Sequence, residues 1–204
     1  EAHGEDVIKD VLAAGRGAFL MGAHMGSFEV ARAIGRRQPG LRVAMVMYEE
    51  NARKLNAALA AINPAAVQDI IPLGQLDSML RVQACLDEGM VLGVLGDRTL
   101  GSEPTLRVPF LGADAEFPLG PMRLAAMLKR PVLFMSGLYL GGNRYAIRFE
   151  RLADFSALER SGRDAAIQGA VAAYAACLER HCRAAPYNWF NFFDFWRPKD
   201  AANT

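Results

Sequence analysis

The chain has 204 residues, 52% hydrophobic and 22% charged, with a formal net charge of +1. That balance supports one ordinary globular domain, excludes a disordered or fibrous chain, and removes any global charge argument for nucleic acid. Cys85, Cys177 and Cys182 fall outside CxxC or Cys/His zinc spacing, so reduced thiols and no metal site are expected, and His3 and His181 have no obvious partners.

In chain order, Asp6 to Ala14 reads as a short amphipathic helix closed by Gly15. Ala18 to Ala23 is an apolar run of the kind that makes a buried strand, and Val30 onward reads as a helix with a basic side. Arg32, Arg36, Arg37 and Arg42 cluster there, which suits either an anionic headgroup or a solvated helix face. Leu41 to Tyr48 is a second strand, and Glu50 to Ile62 a helix ended by Asn63-Pro64. Gln68 to Leu73 is a short strand, Gln75 to Asp87 a helix, and Met90 to Leu95 another apolar strand. Residues 96–121 show turn chemistry and little regular pattern, as functional loops do. Pro121 opens a helix over Met122 to Lys129. Pro131 to Leu140 and Arg144 to Glu150 form a hairpin through Gly141-Gly142-Asn143, and Arg163 to Arg183 is a long Ala-rich helix. Seven of the ten residues Tyr187 to Trp196 are aromatic, which suits a core strand, an acyl-chain wall or a membrane-interface belt. A final strand over 185–196, returning to the sheet, is expected.

This alternation predicts a single-domain α/β sandwich spanning 1–204, with a mainly parallel central sheet flanked by helices. Ligands in such sheets usually bind beyond the carboxyl ends of the strands; His24 and Asp97 both fall just past such ends, so their meeting is a geometric expectation. No apolar run reaches the ~18 residues that span a bilayer. The chain begins at Glu1 without a methionine, so a processed or trimmed chain is expected.

The sharpest local pattern is His24 followed by Glu29. On one continuous helix these would lie roughly 140° apart around the axis, so they converge only if His24 precedes the helix and Glu29 sits in its first turn. A carboxylate on one imidazole nitrogen then leaves the other as a base. N–H groups near Gly26 and Ser27 are candidate donors to an oxyanion or a phosphate. The plain alternative is an isolated histidine and a glutamate that complements the helix dipole.

The blocks His24-x4-Glu29, Gly96-Asp97-Arg98, Val108-Pro109-Phe110-Leu111-Gly112, Phe117-Pro118-Leu119-Gly120-Pro121 and Ala185-Pro186-Tyr187-Asn188-Trp189 are similar, in order, to the lysophospholipid acyltransferase (LPLAT) superfamily. They most resemble its branch of late (lauroyl/myristoyl) lipid A acyltransferases, and the tail resembles acyltransferases of aryl-polyene or pigment clusters. The resemblance implies the glycerol-3-phosphate acyltransferase-like fold. It also implies transfer of an acyl chain from an acyl carrier protein or coenzyme A thioester to a hydroxyl of a lipid or glycolipid. No cofactor is implied, the reaction would take place at the cytoplasmic face of the bacterial inner membrane, and the resemblance implies a hydrophobic N-terminal anchor after which this chain would start. His24 would be the general base, oriented by Glu29. Arg98 would hold a phosphate or the carrier's phosphopantetheine and Asp97 would position Arg98 or the acceptor, against a structural salt bridge between the two. Phe110, Phe117, Phe190, Phe193 and Trp189 are candidate groove walls, though a closed core would use the same residues. The family's arginine-bearing segment has only Arg53 and Arg81 as candidates, and Asn191 and Asp194 stand where relatives carry a basic run. A non-catalytic lipid-binding or membrane-docking module of the same fold is the alternative. A nucleotide-binding domain is disfavoured, because no GxGxxG or GxxxxGK[ST] follows a strand.

Overall fold

The computed structural model describes residues 1–27, 40–48, 70–74, 76–99, 103–192 and 194–196. The helices read over 30–37 and 50–62, together with Glu29, Arg53 and Phe193, lie outside the described residues. The described elements are β1 (Ala2–His3), α1 (Glu5–Ala14), β2 (Ala18–Gly22), β3 (Val43–Tyr48), β4 (Ile70–Leu73), α2 (Leu76–Asp87) and β5 (Val91–Leu95). They continue with β6 (Thr105–Phe110), β7 (Ala113–Pro118), α3 (Gly120–Met127), β8 (Pro131–Tyr139), β9 (Tyr145–Asp154) and α4 (Arg163–Ala184).

A seven-stranded sheet has the order β1-β9-β8-β2-β5-β3-β4. The five strands from β8 to β4 are parallel, and β9 turns back antiparallel to β8 through the expected hairpin. The mainly parallel α/β architecture therefore matches the sequence reading. Strand β1 was not foreseen; its two residues pair parallel with β9. Strand β2 lies at the centre and all five of its residues are buried, which its unalternating apolar sequence requires. Phe19 and Met21 enter the larger core, shared with Leu86 of α2 and Tyr174 and Leu178 of α4. Ala18 and Leu20 face the smaller core under α1, with Ile8 and Val11. Full burial of each large side chain contributes about 1.5–3 kcal/mol.

Two expectations need correction. Residues 105–118 are not irregular: β6 and β7 form an antiparallel hairpin with Phe110 opposite Ala113. Leu111 (φ 54°) and Gly112 (φ 95°) make its two-residue turn, and two positive φ values are what a tight hairpin of this twist demands. Residues 185–196 are not a strand. Among the described residues Pro186–Asn188 form a 3₁₀ turn, and the segment's one β-type pairing is the isolated bridge Met25 to Trp189. Strand β2 already has β5 and β8 on its two edges, so the tail passes its carboxyl end instead of joining the sheet. The tail's aromatics dock on the hairpin: Phe110 has its ring centroid 5.4 Å from that of Trp189 and 5.5 Å from that of Phe195, and the Trp196 indole donates to the Phe110 carbonyl.

Candidate active site

Gly22 and Leu95 are register partners at the carboxyl ends of β2 and β5. Two residues beyond each lie His24 and Asp97, so the parallel pairing alone brings them side by side. The Gly96 N–H donates to the Gly22 carbonyl (3.1 Å), and the buried Tyr174 hydroxyl donates to the same oxygen (2.8 Å), fixing this corner.

Asp97 is only 2% exposed and accepts three hydrogen bonds. Its Oδ1 lies 2.8 Å from His24 Nδ1, and its Oδ2 accepts from the His24 backbone N–H (3.0 Å) and the Trp189 indole N–H (3.2 Å). Burial is the largest influence and opposes its ionisation, but the hydrogen bonds from His24 and Trp189, with the attraction of the His24 ring whenever it is protonated, outweigh it and hold the carboxyl below its ordinary value. An ionised carboxylate only accepts, so Nδ1 carries the proton and Nε2 keeps its lone pair. The His24 side chain is one-third exposed, and Nε2 has no hydrogen-bond partner among the described residues.

The turn after His24 is clamped by the tail. The Phe190 N–H donates to the His24 carbonyl (2.8 Å), the Gly26 N–H to the Asn188 carbonyl (2.7 Å), and the Ser27 N–H to the Gly137 carbonyl (2.8 Å). The last two bonds correct the sequence reading of Gly26 and Ser27: both N–H groups are engaged by the fold and neither points to an oxyanion. Gly26 is required here for another reason. Its φ is +64°, and a Cβ would stand 2.0 Å from the Gly137 carbonyl oxygen. Asn188 fixes the tail in turn, its side chain accepting from the Tyr139 N–H and donating to the Tyr139 carbonyl.

His24 stands on the wall of a cavity of about 790 Å³. Most of that wall is apolar: Phe19 of β2, Met45 and Val46 of β3, Val94 of β5, and Leu124 and Met127 of α3, with Arg98, Glu103 and Arg123 as charged members. A mostly apolar space beside one unencumbered imidazole nitrogen suits an acyl chain whose reactive end meets a base.

His24 and Asp97 meet as expected, but with a different division of roles. Asp97 is too buried to touch an acceptor and is committed to His24 and Trp189, so its assignment to substrate binding or to a salt bridge with Arg98 gives way. Arg98 remains on the cavity and donates to the Phe190 carbonyl (2.9 Å). Phe110 and Phe117 are fully buried core residues, not groove walls. Sequence reasoning missed the indole–carboxylate bond, and no local signal could have found it, because Trp189 and Asp97 stand 92 residues apart in the chain.

Elsewhere, His181 does have a partner: its Nε2 lies 2.9 Å from Glu150 Oε1. Glu150, Cys177 and His181 offer ligand atoms within 4.8 Å of one another. Arg180 already pairs with Glu150, and burial pushes the Cys177 thiol up to about 12, so the trio reads as a neutralised polar cluster. Among the described residues no helix is long and apolar enough to cross a membrane.

No curated protein matches the chain. The family described as bacterial lipid A biosynthesis acyltransferase matches residues 1–198, nearly the whole length. The chain therefore belongs to the bacterial lipid A biosynthesis acyltransferase family, membrane-associated enzymes that place acyl groups on lipid.

Proposed function

We propose that the protein transfers an acyl chain from an acyl carrier protein or coenzyme A thioester to a hydroxyl of a lipid or glycolipid, at the cytoplasmic face of the inner membrane. His24 is the general base and Asp97 its orienting carboxylate. The observation that carries this reading is the 2.8 Å contact between His24 Nδ1 and a buried carboxylate, on the wall of an apolar cavity of about 790 Å³.

The acceptor hydroxyl donates to Nε2, and its oxygen attacks the thioester carbonyl carbon as the proton passes to the imidazole. Asp97 stabilises the imidazolium. The tetrahedral intermediate collapses with cleavage of the C–S bond, and the proton returns from Nε2 to the departing sulfur, leaving an ester and a free thiol. No covalent acyl-enzyme is needed, and the sequence has no Gly-x-Ser-x-Gly elbow. Arg98 is assigned the anionic part of a substrate, a phosphate of the acceptor or of the carrier's phosphopantetheine. Glu29 keeps a place as a second supporting carboxylate, subordinate to Asp97 because Nδ1 is already taken.

The test offers wild-type protein an acyl-carrier or acyl-CoA thioester together with a bacterial lipid extract. Mass spectrometry should find a lipid heavier by one acyl group, with equimolar free thiol. Lipid binding without thiol release would replace this reading with the non-catalytic module.

A further inference from the structure

The tail that clamps His24 also presents rings to solvent. Tyr187 is 96% exposed and Phe192 86%, with Phe190, Tyr139 and Leu140 exposed beside them. These side chains form one rim. Asn188 ties the tail to the tip of the β8–β9 hairpin through both of its bonds to Tyr139, and the rings of Phe190 and Phe192 lie 6.3 Å apart. A protein seldom leaves such large rings so bare side by side unless something covers them.

We propose that this rim docks the enzyme onto a lipid bilayer, with Tyr187 and Phe192 entering the headgroup–acyl boundary. Three observations select a bilayer as the occupant. The rim adjoins the site: the Phe190 N–H bonds the His24 carbonyl and the Phe190 carbonyl accepts from Arg98, two residues that line the cavity, so a bilayer on the rim would lie beside it. The side chains are Tyr, Phe and Leu, the mixture that partitions into the membrane interface, where a phenol meets headgroups and a phenyl ring meets chains. The named rim side chains carry no charge, which leaves apolar insertion as what the rim itself contributes. The docking rests on the lipid-acylation reading only for its biological purpose, and its primary readout does not involve catalysis.

The test is co-sedimentation of the whole chain with vesicles of phosphatidylethanolamine containing a minor share of phosphatidylglycerol. Wild type should bind, with little weakening by added salt. Tyr187→Ser combined with Phe192→Ser should lower the partition coefficient at least about tenfold, with melting temperature unchanged. Thiol release from a short-chain acyl-CoA in vesicle-free buffer should be unchanged as well. His24→Ala should bind vesicles like wild type, so failure of the catalytic reading leaves the docking result intact. Wild-type-like binding by the double variant, or no binding by wild type, would overturn the proposal. So would a loss of turnover confined to carrier-bound thioester, which would give the rim to a protein partner.

Discussion

The Trp189 indole N–H donates to Asp97 Oδ2 at 3.2 Å, while the other oxygen of that carboxylate faces His24 Nδ1 at 2.8 Å. A residue of the tail thus holds the acid that holds the base. Trp189→Phe removes the donor while keeping a ring against Phe110 and Phe195. Turnover should fall about tenfold or more, with KM little changed, because supporting hydrogen bonds of this kind are typically worth ~10–100-fold in activity. A matched rise in KM, or a melting temperature that falls in step with turnover, would make the bond structural only. Steady-state kinetics beside a thermal melt separates these outcomes.

Asp97→Asn should cost more, on the order of 10²–10⁴ in turnover, since the imidazole loses both its tautomer control and its counter-charge. The same change tests the charge of the buried carboxyl. Its folded pKa lies below the ordinary value, so its ionised form contributes stability that is fully present above about pH 4 and is lost as pH falls through the folded value. Urea unfolding followed downward in pH should therefore show the stability gap between wild type and Asp97→Asn closing below about pH 4. A gap that widens on acidification would mean the carboxyl is protonated in the folded protein.

Gly26 and Gly112 offer a controlled pair. Both have positive φ, but a Cβ at Gly26 meets the Gly137 carbonyl oxygen at 2.0 Å, whereas at Gly112 nothing lies within 4 Å. Gly112→Ala should cost about 1 kcal/mol and leave turnover intact. Gly26→Ala should cost at least about 2 kcal/mol and abolish most activity, because the clash displaces the His24 turn. Chemical denaturation with a parallel thiol-release assay reads both.

Chain-length preference should be set in the cavity. Leu124 and Val94 lie on its wall. Leu124→Trp should shift the preferred donor toward shorter chains, with roughly tenfold or more in relative kcat/KM for each displaced methylene. Competition between thioesters of different length measures it; an unchanged preference would remove the acyl chain from this cavity.

Much of this architecture was legible in the sequence. The apolar runs of β2 and β5 have no polar alternation, so a two-faced buried sheet followed directly, and with it the placing of His24 and Asp97 beyond neighbouring strand ends. Their meeting was expected on that ground, and the 2.8 Å contact bears it out; that Asp97 would be the carboxylate orienting the ring was not legible. Strand order is a tertiary choice, and the short spacing to Glu29 offered a nearer carboxylate. The hairpin at Leu111-Gly112 was legible in principle: Val108 and Phe110 face inward while Arg107 and Pro109 face out. Turn residues on either side masked that alternation. The tail misled for the opposite reason. Its aromatic density suits a strand, but both edges of β2 were already taken.

Base catalysis by His24 under the control of Asp97 is tested most directly by one comparison of thiol release, at saturating acyl thioester and lipid acceptor. It sets His24→Ala, Asp97→Asn and the double variant against wild type, each confirmed to be folded. Each single variant should lose at least about 10²-fold, and the double variant should be no slower than His24→Ala, because the carboxylate acts only through the ring. Near-normal turnover by folded His24→Ala, or fully additive losses in the double variant, would contradict it.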